Sequence, residues 1–345
     1  MWKDFGTKFD GILQSLSHHK DLVECRATLS QYRSYREDMT KMNEKLDELI
    51  TQERSKKMKA VKEWLAVGSQ PEQDHDAFRD IRGEFPSTGR WIIKHEYFRE
   101  WLDTDVPASP IVWLHGMPGA GKTILTSNII DECKRRTDCI TSYFYCHYED
   151  QRANTAVGVL RGLIDQLLDQ YPQLLPPCHT RHTSSGEPSL RSLPLAKKIF
   201  EDFCSTIPKL FVIIDGLDEC EQIERKQLLD FFVDVVGQAE TDEPGKLRVL
   251  FVSQEYSDIR RALHSSPMAI IAPKIIPLSS SDNEGDISTY VRVWVDRIAN
   301  QHSPFTGDLI EYLRNLTVAR AKGMCIPYHG IPLRSLEPGE VYPSF

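Results

Sequence analysis

Apolar residues in the first 70 positions recur at helical spacing, first as Phe5, Phe9, Ile12, Leu13 and Leu16, then as Met39, Met42, Leu46, Leu49 and Ile50. No proline interrupts the chain before Pro71, so the pattern predicts a helical N-terminal segment over residues 1–67. From residue 111 the pattern changes. Short continuous apolar runs stand at Ile111–Leu114, Tyr143–Tyr148, Leu210–Ile214, Val249–Val252 and Ile275–Leu278, as expected of strands buried on both faces of a parallel sheet. Helical patterns separate them at Thr123–Arg135, Asn154–Gln170, Leu195–Cys204, Ile223–Val236 and Gly285–Ala299. This alternation predicts a doubly wound α/β sheet.

Turn formers punctuate the rest. GSQPEQDHD and GEFPSTG mark residues 68–90 as a linker, Trp91–Leu102 reads as a short amphipathic segment, and residues 91–300 form the α/β domain. The stretch from Tyr171 to Pro194, with Pro172, Pro176, Pro177 and Pro188 inside it, reads as a long surface loop. Cys178, His179 and His182 lie within that stretch, but without a fourth ligand they read as loop residues rather than a metal site. Residues 301–345 read as an irregular tail, with CIPYHGIPLRSLEPGEVYPSF at its end read as disordered.

One motif carries chemistry. Gly116-Met117-Pro118-Gly119-Ala120-Gly121-Lys122-Thr123 matches the phosphate-binding pattern G-x-x-x-x-G-K-[ST] between a predicted strand and a predicted helix. Its glycines let the backbone turn tightly and bring N–H groups against phosphate oxygens. Lys122 reaches the β- and γ-phosphates, the Thr123 hydroxyl is a candidate Mg²⁺ ligand, and the helix N-terminus favours an anion. A second apolar strand, Phe211–Ile214, ends in Asp215, a carboxylate placed to hold Mg²⁺ opposite Thr123. Asp218 and Glu219 follow as candidates for positioning the attacking water, or alternatively as the cap of the next helix.

Composition narrows the class. A formal net charge of −8 opposes general affinity for nucleic acid or an anionic membrane face, and no apolar run reaches the roughly 18 residues that span a bilayer. The eight cysteines are scattered singly, with no Cys-x-x-Cys pair, and read as free thiols in a reducing compartment. The N-terminus MWKDFGTKFDGILQSL reads neither as a signal nor as a transit peptide, so the expected address is cytoplasmic. The basic cluster Arg54, Lys56, Lys57, Lys59 and Lys62 reads as a solvated helix face.

The segments IVWLHGMPGAGKT, FVIIDGLDEC, RVLFVSQEYSDIR and IIPLSSSDNEGDISTYV, in this order, resemble the NACHT-type STAND ATPases, especially fungal proteins with a nephrocystin-3-like N-terminal domain. STGRWIIKHEYFREWL is similar to the segment preceding the phosphate loop there. The resemblance implies a P-loop NTPase with a five-stranded parallel sheet ordered 5-1-4-3-2. It also implies a switch in which ADP holds a closed state and ATP permits assembly, in fungal self-recognition or immune-like signalling. Asp215 matches the Mg²⁺ acid, Asp218 and Glu219 the extra acids, and Ser253-Gln254 the sensor. The family usually has arginine where this chain has Gln254, and an uncharged amide cannot neutralise a γ-phosphate. Arg152, Arg260 and Arg261 are the candidates to substitute. The winged-helix lid and repeats that the resemblance would place after Met324 are not recognised in the sequence.

The expectation is therefore a regulatory NTPase that binds ATP or ADP with Mg²⁺, hydrolyses slowly, and signals as a homo-oligomer or through partner proteins. The alternative is an adaptor module with nucleotide bound and little or no hydrolysis. A small-molecule kinase would need a pocket of convergent polar residues that the sequence does not display.

Overall fold

The computed structural model describes residues 2–67, 70–149, 154–264, 272–301 and 306–321. The chain divides into two units, Met1–Ala60 and Val61–Phe345. The first unit is a length of the helix α1 (Trp2–Leu65), uninterrupted by proline. Many of its described apolar side chains, among them Leu29, Tyr32, Met42, Leu46 and Leu49, are exposed.

The second unit begins within α1, where Val61, Trp64 and Leu65 are buried. Lys62 belongs to no solvated face. Its ammonium pairs with Asp165 at 2.8 Å and Asp169 at 2.7 Å. Next come α2 (Gln70–Gly83), α3 (Trp91–Lys94) and α4 (Glu96–Asp103). The stretch read as a linker over 68–90 thus holds a helix. Pro71 sits in its first turn, where no intrahelical N–H is needed, and His75, Phe78 and Arg82 recur at helical spacing along it.

Five strands follow: β1 (Ile111–Gly116), β2 (Ile140–Tyr145), β3 (Leu210–Asp215), β4 (Leu247–Ser253) and β5 (Lys274–Leu278). They pair in the order β2-β3-β4-β1-β5, every pair parallel, which is the 5-1-4-3-2 order the resemblance implied. β1, β3 and β4 are buried along their whole length. The connecting helices are α5 (Lys122–Lys134), α6 (Ala156–Gln170), α7 (Leu175–Ser185), α8 (Leu193–Thr206), α9 (Gln222–Asp242) and α10 (Ser257–His264). After β5 come α11 (Glu284–Gln301) and α12 (Gly307–Ala321).

Two further expectations need correction. The proline-rich stretch after Tyr171 is helical over Pro172–Leu174 and Leu175–Ser185, because its prolines fall at the first positions of each turn. Cys178 is buried there, and the His182 ring packs 5.3 Å from that of Trp64. The tail read as irregular over 301–345 contains α12, whose Ile310 and Leu313 pack on Ile287, Val291 and Val295 of α11. The segment read as disordered after Met324 lies outside the described residues.

At the N-terminal edge of the sheet the Arg248 guanidinium is fully buried. It donates to the carbonyls of Trp101, Leu102, Thr104, Asp105 and Gly245, so the desolvated charge is met by peptide dipoles. The loop before β1 is fastened there, while the opposite edge carries the candidate site.

Candidate functional site

In an open parallel sheet the crevice beyond the strands' C-terminal ends is where ligands bind. Residues 116–123 run from the last residue of β1 into the first turn of α5, and residues 118–123 line the crevice. Gly119 and Gly121 adopt left-handed φ of 72° and 81°, values that oppose a side chain. Gly121 is the N-cap of α5, and no side chain caps that terminus, so the first N–H groups of the helix point into the crevice. Lys122 Nζ donates to the carbonyls of Gly116 and Met117, each at 3.0 Å. Burial lowers its pKa, opposed by the carboxylates of Asp218, Asp215 and Glu219.

Asp215 ends β3 and is buried. Burial pushes its pKa up to about 6, against the pull of a hydrogen bond from Thr123 and the charge of Lys122. The pairing brings a hydroxyl and a carboxylate together across the crevice, two hard oxygens of the kind Mg²⁺ takes. Among the described residues no group of three or more His, Cys, Asp and Glu forms a metal cage, so a cation held here would fill its shell from phosphate and water. That division is usual for Mg²⁺, and the donor set fits it.

Asp218 and Glu219 occupy a short 3-10 turn, Leu217–Glu219. Asp218 Oδ1 accepts from the Gln254 N–H at 3.0 Å, and Glu219 Oε2 accepts from the Tyr148 N–H at 2.6 Å. Burial raises the pKa of Glu219. Neither acid caps α9, whose N-cap is Glu221. Arg225 supports the turn: it donates to the carbonyls of Asp218 and Cys220 and pairs with Asp258 at 2.6 Å. Ser253 accepts from Trp113 Nε1 at 2.9 Å behind the crevice. Arg260 pairs with Glu255 and lies over the Trp113 ring, outside the residues that line the cavity. Arg261 does not line it either, and Arg152 lies outside the described residues.

The cavity measures about 430 Å³ and extends well past the phosphate loop. Its lining includes the apolar side chains of Phe78 and Ile81 from α2, Phe85 after it, Leu125 from α5 and Tyr290 from α11, interspersed with Arg82, Asn283 and Asp286. The Phe85 and Tyr290 rings stand 5.0 Å apart. None of these wall residues was singled out from the sequence. The apolar spacing of Phe78 and Phe85 was the available signal, and the turn formers around it hid the helix.

α2 is locked to the phosphate-loop helix by a polar cluster. His75, nearly fully buried, meets Tyr145 Oη at 2.9 Å through Nδ1 and Asp131 Oδ1 at 3.1 Å through Nε2. Arg82 donates to Ser127 at 2.8 Å and to Asp131. The carboxylate of Asp131 is thereby held below the usual range even though burial alone would raise it. A second pair, His147 Nε2 with Asp74 at 3.0 Å, joins α2 to the loop after β2.

Residues 87–254 match the family model described as "Nephrocystin 3, N-terminal". The chain is 30% identical over 242 residues to the vegetative incompatibility protein HET-E-1 of Podospora anserina. That alignment covers 68% of this chain and 17% of the relative, so the chain spans a small part of the relative's length. Two solved structures are loosely similar in shape. CDC6P from Pyrobaculum aerophilum has a TM-score of 0.42 at 12% identity, covering 70% of this chain and 57% of that one. The Drosophila ORC bound to DNA has a TM-score of 0.44 at 14% identity, covering 71% and 59%. No helix among the described residues is long and apolar enough to cross a membrane.

Proposed function

We propose, from the premise that this chain belongs to the fungal-like NACHT-type P-loop NTPases, that it binds ATP or ADP with Mg²⁺ at residues 116–123 and works as a nucleotide-operated signalling switch. The observation that carries the reading is one cavity lined both by Lys122, Thr123 and Asp215 and by the paired rings of Phe85 and Tyr290. The first group suits a triphosphate tail and the second a nucleobase. On this reading the Lys122 ammonium leaves the Gly116 and Met117 carbonyls for phosphate oxygens, and the uncapped N–H groups of α5 take the remaining charge. Thr123 and Asp215 would hold Mg²⁺, which when bound neutralises charge on the β- and γ-phosphates.

Asp218 and Glu219 are the acids assigned to positioning water. Burial raises the pKa of Glu219, a direction that suits a group receiving a proton from water. The exposed apolar side chains of the first unit support assembly with further copies or with signalling proteins. Free thiols, several of them buried, support a reducing, cytoplasmic setting.

A second reading, binding with little or no hydrolysis, is favoured by Gln254: it brings no charge to the crevice, and its backbone engages Asp218. Calorimetric titration with Mg²⁺ and ATP or ADP, followed by phosphate-release measurement, separates the two. Heat with release supports the switch, heat without release the adaptor, and absence of heat with every nucleotide sinks both.

A further inference from the structure

We infer that Cys146 and Cys220 form a dithiol modification site, at which a hydroperoxide closes a disulfide that fastens the acidic turn to the end of β2. The Cys220 thiol donates to Cys146 Sγ at 3.4 Å. The two residues are 74 positions apart and both are buried.

Backbone geometry brings the sulfurs together. Tyr145 is in register with Asp215, and the Cys146 N–H donates to the Asp215 carbonyl at 2.9 Å. Gly216 then turns the chain back with φ of 72°, so close to Cys146 that a Cβ on it would lie 2.6 Å from the Cys146 carbonyl oxygen. The 3-10 turn closes with the Cys220 N–H on the Leu217 carbonyl at 3.3 Å, delivering Cys220 onto Cys146. A disulfide needs the sulfurs about 1.4 Å nearer, a step within the reach of side-chain rotation and small loop movement. Cys133 and Cys139 form no comparable pair, since the Cys139 thiol faces the Cys133 carbonyl at 3.9 Å.

The chemistry balances with the peroxide alone. One thiolate attacks the peroxide, the O–O bond breaks, and a sulfenic acid forms with release of water or an alcohol. The second thiol attacks that sulfur, the S–S bond forms, and the S–O bond breaks to release water. Because both sulfurs are buried, the rate follows the opening of the loop and trails that of the exposed Cys25.

The bridge has a consequence for Glu219. Its carboxylate accepts from the Tyr148 N–H; Cys220 follows Glu219 directly, and Cys146 precedes Tyr148 by two positions. Oxidation therefore keeps Glu219 on the Tyr148 amide. This consequence rests on the nucleotide reading above; the bridge does not.

The test treats the full chain with graded hydrogen peroxide, blocks remaining thiols with N-ethylmaleimide, and maps non-reduced peptides by mass spectrometry. The expected product joins the Cys146 and Cys220 peptides, two hydrogens lighter than their sum, and dithiothreitol reverses it. Cys146→Ser and Cys220→Ser each abolish it. Both residues recovered as maleimide adducts, or bridged to other cysteines, would overturn the site. In the oxidised protein, phosphate release is expected to fall about a hundredfold while nucleotide affinity holds, with no peroxide effect in Cys220→Ser. A bridge that leaves turnover unchanged overturns the immobilisation of Glu219. A bridge in a protein that binds no nucleotide sinks the nucleotide reading and leaves the dithiol standing.

Discussion

The Lys122 ammonium lies 3.0 Å from the carbonyl of Gly116, the residue that opens its own loop. On the proposed reading this partly buried ammonium would exchange two neutral carbonyl acceptors for charged phosphate oxygens. Replacing it should remove a charge-assisted contact and little else. Lys122→Ala is expected to weaken ATP binding about a hundredfold while the chain keeps its circular dichroism. Unchanged calorimetric affinity would count against the site.

Asp215 carries a stability signature that can be read without nucleotide. Its folded pKa of about 6 stands above the ordinary 3.8, so the folded state binds the proton more tightly, and the buried charge costs stability as pH rises through that interval. Asp215→Asn is expected to stabilise the nucleotide-free protein at pH 7, by at most about 3 kcal/mol, and to lose the Mg²⁺-dependent part of ATP binding. Urea midpoints at pH 5 and pH 7, with titrations in Mg²⁺ and in EDTA, check both halves. A destabilised variant would show that the carboxylate is needed structurally.

Tyr290 packs against Phe85 in the lining of the cavity. Tyr290→Ala is expected to lower ATP affinity about tenfold and to leave inorganic tripolyphosphate binding as it was. Equal losses for the two ligands would remove the nucleobase from this wall.

His75 gives a pH dependence of definite sign. Burial lowers its pKa below 6.5, assisted by the charge of Lys134. The unfolded chain then binds the proton more readily, and stability drops as pH falls through 6.5 toward the depressed value. Urea midpoints between pH 7.5 and pH 5 should fall in the wild type and fall less in His75→Gln. Parallel slopes would assign the loss to other groups.

Gln254→Arg restores the charge that the resemblance places at this position. Phosphate release is expected to rise about tenfold or more, with ATP affinity little altered. No rise would show that slow turnover, if found, has another source.

Much of this was legible in the chain. Strands buried on both faces read as unbroken apolar runs, and residues 116–123 announce a strand–loop–helix unit by spacing alone. The helix over 70–83 was not legible, because Pro71 and its polar neighbours look the same at a helix entry as in a linker. The prolines at 176 and 177 misled for the same reason. The apolar wall escaped because Phe85 and Tyr290 meet only after the sheet has formed, and the thiols at 146 and 220 meet only through the register of β2 with β3. Sequence spacing holds no record of such pairings.

Arg248 binds five carbonyls at the rim farthest from the crevice. A scaffold anchored along one margin leaves its displacements to the other, where residues after β1, β3 and β4 line one cavity. Substitutions at Arg248 should consequently register as a softened platform beneath those residues, broadening their fluctuations together, with every reacting group still in the chain.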